Sequence, residues 1–170
     1  ISGAEWADSV GIDIINASLG YTSFNDPKLS HLYKELDGHT AIGSRGASIA
    51  ATKGMIICNA AGNEGDGEWH YLGVPADAPG IIAVGAVSTD GTRANFSSFG
   101  PSADGRIKPE LVAPGEEVVV AGVVGVGLGV SSGTSLASPM LAGAFAALWS
   151  AYPEKPAQEK PKFCMPCATS

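Results

Sequence analysis

The chain has 170 residues, of which 45% are hydrophobic and 16% charged, and its formal net charge is −7. This length suits one domain, and the apolar content is enough for a packed core. An acidic chain without basic runs lacks the electrostatic footprint of a nucleic-acid or anionic-membrane partner. The longest apolar stretch, from Val118 to Val130, is too short and too rich in glycine to span a membrane. We predict no cofactor, and no acidic cluster has the spacing of a calcium loop.

The first half of the chain alternates helical and extended patterns. The predicted helices run from Ala4 to Val10 and from Ser44 to Lys53, and the predicted strands are the apolar runs Ile12–Leu19, Met55–Ala61 and Ile81–Val87. Gly54 is a natural stop for the second helix. Continuous apolar strands that alternate with helices indicate a parallel sheet covered on both faces. We therefore predict an α/β fold in which these three strands are neighbours.

The second half begins with a turn-rich stretch from Asp90 to Gly115. The alternation of valine and glycine from Val118 to Val130 favours a hairpin. A helix is predicted from Leu136 to Tyr152, and its apolar residues on every side predict that it is buried against the sheet. After Pro153 the composition changes to Glu, Lys, Pro and Gln, so residues 1–153 are predicted to form the domain and 154–170 a disordered tail.

The three cysteines form an odd number and fall in two settings. Cys58 lies inside an apolar run, which favours a buried small hydrophobe over a reactive thiol. Cys164 and Cys167 form a CxxC in the tail. Without a second pair, such a motif is only weak evidence for zinc or redox chemistry.

Three segments carry the residues suited to chemistry, and the first of them, Ser132–Pro139, opens the C-terminal helix. At Ser135 the unpaired N–H groups and the positive end of the helix dipole can stabilise a developing oxyanion. Gly133 permits close approach of a substrate backbone. Pro139 suits the opening of a helix but not its middle, so the helix should start near Ser135. Taken alone, Thr134 or Ser135 is equally well explained as an N-cap.

The other two segments each follow a predicted strand. Ala60–Gly65 lies at the carboxyl end of one strand, which is where ligands bind in parallel α/β sheets. Asn63 there can donate its side-chain N–H to an oxyanion, or it can be a turn residue with an Asx hydrogen bond. Asn16–Gly20 can pair with an extended peptide, or it is an ordinary junction between strand and loop.

Together these segments resemble the subtilase family of serine proteases. A strand ending Ser-Leu-Gly, a strand ending Ala-Ala-Gly-Asn-Glu-Gly and a helix opening with Gly-Thr-Ser-Leu-Ala-Ser-Pro follow one another in the family's order. The segments 84–87, 96–101 and 104–115 also look like family signatures, and the resemblance extends from about Glu5 to Pro153. It implies a three-layer subtilisin-like fold with a mostly parallel central sheet.

The resemblance also implies the roles of individual residues. Ser135 matches the nucleophile, and Asn63 matches the side-chain donor of the oxyanion hole, with the Ser135 N–H as the other donor. The walls of the primary specificity pocket match Ser18, Leu19 and Gly20 on one side and Ala60, Ala61 and Gly62 on the other. The implied activity is that of a serine endopeptidase, which hydrolyses a polypeptide substrate through an acyl-enzyme on Ser135.

The chain departs from the family in its catalytic triad. The family order is Asp, His, Ser, and the first two motifs belong upstream of the Ser-Leu-Gly strand, where only eleven residues precede Ile12. His39 stands in the order Gly-His-Thr within a variable surface stretch, and His31 and His70 lie in polar loops, so we predict none of them as the base. We expect a chain that starts inside a longer protein and lacks the N-terminal strands and the His-bearing helix of the fold.

Two interpretations of the function stay open. In the first, the chain is part of an endopeptidase, inactive alone, whose missing N-terminal half is a possible partner. In the second, it is a non-catalytic fragment or a pseudoprotease that binds extended peptides. The unpaired edge of an incomplete sheet would in either case invite association. For the parent protein the family leads us to expect an extracellular or cell-envelope location, although this chain shows no signal peptide.

Overall fold

A parallel sheet of four strands forms the centre of the computed structural model, which describes residues 1–122 and 127–153. The strands are β1 (Ile14–Ala17), β2 (Ile56–Ala60), β3 (Ile82–Val87) and β4 (Leu111–Pro114), and they lie side by side in that order. The prediction that the three apolar runs are parallel neighbours is confirmed. The fourth strand, β4, was not predicted, because it lies inside the stretch that the sequence marks only as turn-rich.

Within the described residues, three helices and a hairpin accompany the sheet. The helices are α1 (Ser2–Ser9), α2 (Ile42–Thr52) and α3 (Thr134–Ala151), and short 3-10 helices occupy Pro27–Leu29 and Tyr33–Glu35. The hairpin strands β5 (Val118–Ala121) and β6 (Leu128–Ser131) pair antiparallel, as the valine and glycine pattern predicts. Within the described ranges, no helix has the length and apolar character needed to cross a bilayer.

Side chains on the two faces of the sheet enter two separate cores. Ile56 and Cys58 of β2 join the core under α3, which also contains Phe145. Ile57, between them in sequence, points to the opposite core with Ala50 of α2. Successive side chains of a strand point to opposite faces of the sheet, and here both faces are buried. The result is the three-layer α/β architecture that was predicted.

Cys58 is a fully buried thiol, as its apolar surroundings in the sequence predict. Burial raises the pKa of this thiol to about 12, so it stays protonated at neutral pH. The tail with Cys164 and Cys167 lies outside the described residues.

The prediction that the C-terminal helix is buried on every side is wrong. α3 packs one face on the sheet through Ala137, Ala142 and Phe145, while the opposite face is exposed and Met140 retains 44% of its accessible surface. Most of the exposed positions are alanine or glycine, for example Gly143 and Ala144. Small side chains carry little apolar area, so the free-energy cost of leaving them in water is low.

An ion pair between the buried Lys108 and the partly buried Glu110 positions β4 next to β3. Lys108 Nζ lies 2.5 Å from Glu110 Oε1 and donates to the Ala78 carbonyl at 2.9 Å. The second oxygen of Glu110 accepts from Ala83 N at 2.8 Å. Burial lowers the pKa of Lys108, while the neighbouring Glu110 carboxylate acts to raise it. These contacts join the segment before β4 to β3 and explain how so short a strand is held in the sheet.

Candidate active site

A cavity of about 160 Å³ lies where the carboxyl ends of β1 and β2 meet the start of α3. Seven of the eight site residues that the sequence proposes border it: Ser18, Leu19, Gly20, Ala60, Gly62, Asn63 and Ser135. Ala61 is the exception, because its side chain is fully buried and packs with Leu72 and Ala83 behind the cavity. The three segments that are far apart in sequence therefore come together at one end of the sheet.

Gly133, the residue before α3, has no side chain in the space between the Ser135 hydroxyl and the Asn63 amide. A Cβ at Gly133 would lie 3.1 Å from Ser135 Oγ and 3.4 Å from Asn63 Nδ2, so one small volume borders both the hydroxyl and the amide. Gly133 is also the N-cap residue, and as a glycine it has no side chain with which to cap the helix. The interpretation of Thr134 or Ser135 as an N-cap is therefore wrong.

The side-chain amide of Asn63 has a defined orientation. Asn63 Oδ1 accepts hydrogen bonds from Thr134 N and Thr134 Oγ1, both at 2.9 Å. The Thr134 hydroxyl in turn accepts from Gly62 N at 3.2 Å. With both acceptor positions of Oδ1 used, Nδ2 is left as a donor, and within the described ranges it has no partner. Asn63 is thus bound to α3 and is not a turn residue closed on its own loop.

On the other side of Ser135, the end of β1 contacts the first turns of α3. Ser18 Oγ donates to the Ser135 carbonyl at 2.8 Å and accepts from Asn16 Nδ2 at 3.0 Å. Ser138 Oγ donates to Asn16 Oδ1 at 2.7 Å. Asn16 and Ser18 therefore contact α3 through their side chains, and Ser18 also borders the cavity.

Sequence reasoning missed four further residues that border the cavity: Thr22, Glu64, Gly73 and Thr134. Glu64 is the one charged side chain among the bordering residues. Gly73 arrives through an antiparallel bridge between Tyr21 and Val74, with N···O distances of 2.9 and 3.0 Å. A Cβ on Gly73 would come within 3.1 Å of Gly20 Cα and would close the gap. No local pattern signals that bridge, because it joins two loops.

Among the described residues, no side chain hydrogen-bonds to the Ser135 hydroxyl. All three histidines of the chain lie in the described ranges, and none of them hydrogen-bonds to the Ser135 hydroxyl. His31 Nδ1 is 3.7 Å from Glu35 Oε2, His70 Nδ1 is 3.1 Å from the Glu68 carbonyl, and His39 is exposed. In the same ranges, no group of three or more His, Cys, Asp or Glu side chains gathers as a metal site.

A second, larger hollow runs along the free edge of β1, and we call it the β1 groove. It measures about 720 Å³ and lies between α1, β1 and α2, with mostly apolar walls. Trp6 of α1 lines it and is 65% exposed. Asn59 also lines it; its Nδ2 donates to the Leu19 and Ala60 carbonyls, but its buried Oδ1 has no partner among the described residues.

Comparisons with known proteins agree with the geometry. The model of the Subtilase family matches residues 1–164. Over 154 residues, Subtilisin amylosacchariticus from Bacillus subtilis subsp. amylosacchariticus is 38% identical and Subtilisin DY from Bacillus licheniformis is 37% identical. Each match covers 90% of this chain, but 35% of the first protein and 48% of the second. The chain thus spans half or less of the length of these curated relatives.

Solved structures show the same partial coverage. The Patellamide maturation protease PatA superposes with a TM-score of 0.71 and 30% identity over 94% of this chain, which is 53% of that chain. A PatG macrocyclase solved in complex with peptide gives a TM-score of 0.66 and 27% identity over 88% of this chain and 40% of that chain. The structure described here is therefore similar to part of a protease domain.

Proposed function

This chain belongs to the subtilase family, and we propose that it forms the nucleophile-bearing half of a subtilisin-type serine endopeptidase domain. In this proposal Ser135 Oγ attacks the carbonyl carbon of a peptide bond. The oxyanion that forms accepts hydrogen bonds from Asn63 Nδ2 and from the Ser135 N–H. Departure of the amine leaves an acyl-enzyme on Ser135, which water then hydrolyses.

The observation that carries the proposal is the shared volume beside Gly133. Ser135 Oγ and Asn63 Nδ2 both border it, and Thr134 holds the Asn63 amide with its N–H side free. A donor that is oriented before the reaction needs no reorganisation when negative charge develops on the substrate oxygen. The position of Ser135 in the first turn of α3 adds the positive end of the helix dipole.

The proposed substrate is an extended polypeptide. Glycine backbone at Gly20, Gly62 and Gly73 borders the cavity, so a substrate main chain can approach closely on both sides. Backbone hydrogen bonds to the segments 18–20 and 60–62 would hold the peptide in the manner of an added strand. For the parent protein, the expected extracellular or cell-envelope location comes from the family and is testable by fractionation of a tagged form.

The proposal requires a base from outside the described residues. A serine hydroxyl is a weak nucleophile at neutral pH and needs a base within hydrogen-bond reach. We propose that a segment carrying the family's Asp and His docks in the β1 groove, pairs with the free edge of β1 and supplies a donor to Asn59 Oδ1. The exposed Trp6 supports this assignment, because a large apolar side chain is unfavourable in water. Asn59 Oδ1 supports it too, because this buried oxygen has no hydrogen-bond partner among the described residues.

A second candidate function is peptide binding without turnover. The absence of any base hydrogen-bonded to Ser135 in the described residues favours it for this chain alone. The two candidates share the cavity and differ in whether Ser135 reacts covalently.

A fluorophosphonate probe distinguishes the candidates. We expect no labelling of the purified chain above that of the Ser135→Ala control, because in subtilisin the loss of the base alone lowers turnover on the order of a million-fold. When a separately expressed segment with the family's Asp and His motifs is added, we expect labelling that requires Ser135. Rapid stoichiometric labelling of the chain alone would contradict the missing base. No labelling in the presence of a bound segment would leave peptide binding as the function.

A further inference from the structure

A proline inside α3 removes one hydrogen bond at the nucleophile. In an α-helix the N–H of residue i donates to the carbonyl of residue i−4, so the donor to the Ser135 carbonyl would be residue 139. Residue 139 is a proline, which has no N–H, and a proline ring also crowds the carbonyl four residues earlier. The carbonyl of Ser135 therefore has no N–H donor four residues along the helix.

The hydroxyl of Ser18 occupies the place of the missing donor. Ser18 Oγ lies 2.8 Å from the Ser135 carbonyl oxygen, across 117 residues of sequence. A hydroxyl has one proton to donate, and the direction of this one is set by its neighbours. Asn16 Nδ2 donates to Ser18 Oγ, so the hydroxyl proton is free to point to Ser135.

The orientation of Asn16 is fixed in the same way. Ser138 Oγ, fully buried in the first turns of α3, donates to Asn16 Oδ1 at 2.7 Å. This bond makes the other end of the amide the donor and fixes the direction of each hydrogen bond from Ser138 through Asn16 and Ser18 to Ser135. The chain of bonds begins and ends on α3 and passes through β1.

We infer that Ser18, oriented by Asn16 and Ser138, is a positioning residue that replaces the helical hydrogen bond lost at Pro139 and fixes the carbonyl of the nucleophile Ser135. Thr134, the residue before Ser135, is fixed by Asn63, so a distant partner holds each side of the nucleophile. The effect of this arrangement on reaction rate depends on the proposed function. The hydrogen bond from Ser18 to the Ser135 carbonyl is observed whether or not that function is correct.

Carbonyl NMR of the full chain tests the hydrogen bond directly. The sequence contains two Ser–Leu pairs, Ser18–Leu19 and Ser135–Leu136. Labelling serine with carbonyl ¹³C and leucine with ¹⁵N therefore gives two signals in a carbonyl–amide correlation spectrum. Ser135→Ala identifies the Ser135 signal in the wild-type chain, and any substitution of Ser18 leaves that signal alone in the spectrum.

We expect an upfield shift of the Ser135 carbonyl in Ser18→Ala, because a carbonyl that loses a hydrogen bond is shielded. Ser18→Thr keeps the hydroxyl and should restore the wild-type position. Ser18→Ala combined with Pro139→Ala should also move the signal back downfield, since alanine returns the helical N–H. Ser48 makes a comparable hydroxyl bond, to the Pro79 carbonyl at 3.1 Å, and Ser48→Ala should leave the signal unchanged.

An unshifted Ser135 carbonyl in Ser18→Ala would overturn the inference. If that variant does not fold, Asn16→Leu provides the second measurement. It removes the donor that orients Ser18, and the Ser135 signal should move in the same direction by a smaller amount. An unshifted signal in folded Asn16→Leu would overturn the proposed role of Asn16.

The effect of Ser18 on the rate at which Ser135 reacts is measured with the Asp- and His-bearing segment present. Fluorophosphonate labelling should slow roughly two- to tenfold in Ser18→Ala, the range that one net hydrogen bond accounts for, and recover in Ser18→Thr. If Ser18→Ala is labelled as fast as the wild type, Ser18 does not affect the reactivity of Ser135. Absence of labelling in every variant, with the carbonyl shifts as expected, would count against the proposed function and leave the positioning of Ser135 supported.

Discussion

The cavity beside Ser135 and the β1 groove share two residues, Ser18 and Leu19, but they differ in how their polar groups are satisfied. At the cavity, polar side chains are held by partners from distant parts of the same chain, as Asn63 is by Thr134. In the groove, the walls are apolar and the buried Asn59 Oδ1 has no partner among the described residues. The nucleophile side of the site is therefore organised by this chain, while the groove is the surface on which we propose that another segment docks.

The largest expected effect tests the nucleophile side of the site. Asn63→Ala should lower peptide hydrolysis by about a hundred- to a thousand-fold when the Asp- and His-bearing segment is supplied, as loss of one oxyanion donor does in subtilisin. Asn95→Ala is the matched control, because Asn95 is exposed and does not border the cavity. Steady-state kinetics of the two variants gives the comparison. Equal rates would remove Asn63 from the proposed mechanism.

The next effect tests the groove. Trp6→Lys should weaken binding of that segment by about ten- to a hundred-fold, because an apolar side chain buried at an interface contributes on the order of 1.5–3 kcal/mol. Ile107→Lys is the control: Ile107 is 83% exposed and does not line the groove. Titration calorimetry measures both. Equal affinities for the two variants would show that the segment binds elsewhere.

The smallest effect concerns the core under α3, the helix that carries Ser135. The pKa of Cys58 rises from its ordinary value of 9.0 to about 12 on folding, so the folded state resists losing this proton. The stabilising contribution is complete below pH 9 and is lost as the pH rises toward 12, because the unfolded chain ionises first. At pH 10, wild type should have lost about 1.4 kcal/mol of unfolding free energy more than Cys58→Ala. Urea unfolding between pH 7 and 10 measures the difference in slope, and parallel slopes would contradict the buried thiol.

The sequence predicted the sheet where its strands are continuous apolar runs. β1, β2 and β3 lie inside such runs, and burial on both faces is what makes a run continuous. β4 has only four residues and ends at Pro114, so its sequence is indistinguishable from a loop. Its place depends on the ion pair of Lys108 and Glu110, which contacts β3 and has no local signature.

The candidate site was predictable where it follows motifs and was missed where it depends on loops that meet in space. Ser135 and Asn63 stand in distinctive segments, and the structure brings them to one cavity. Gly73 reaches that cavity through the bridge between Tyr21 and Val74, which no spacing in the sequence reveals. The wrong prediction that α3 is buried on every side has another origin. Alanine and glycine count as apolar in the composition, although leaving them exposed to water costs little free energy.

Pro139 also affects the order in which the chain can fold. Helix nucleation is unfavourable even with every hydrogen bond available. An isolated α3 has one fewer donor, at its sixth residue, Pro139, so the carbonyl of Ser135 has no N–H donor four residues along the helix. The Ser18 donor becomes available only after β1 has docked on the helix. A partly folded chain, with helices formed but the sheet incomplete, consequently leaves the Ser135 carbonyl to water. Ordering of the nucleophile thus depends on tertiary structure and not on the local helix alone.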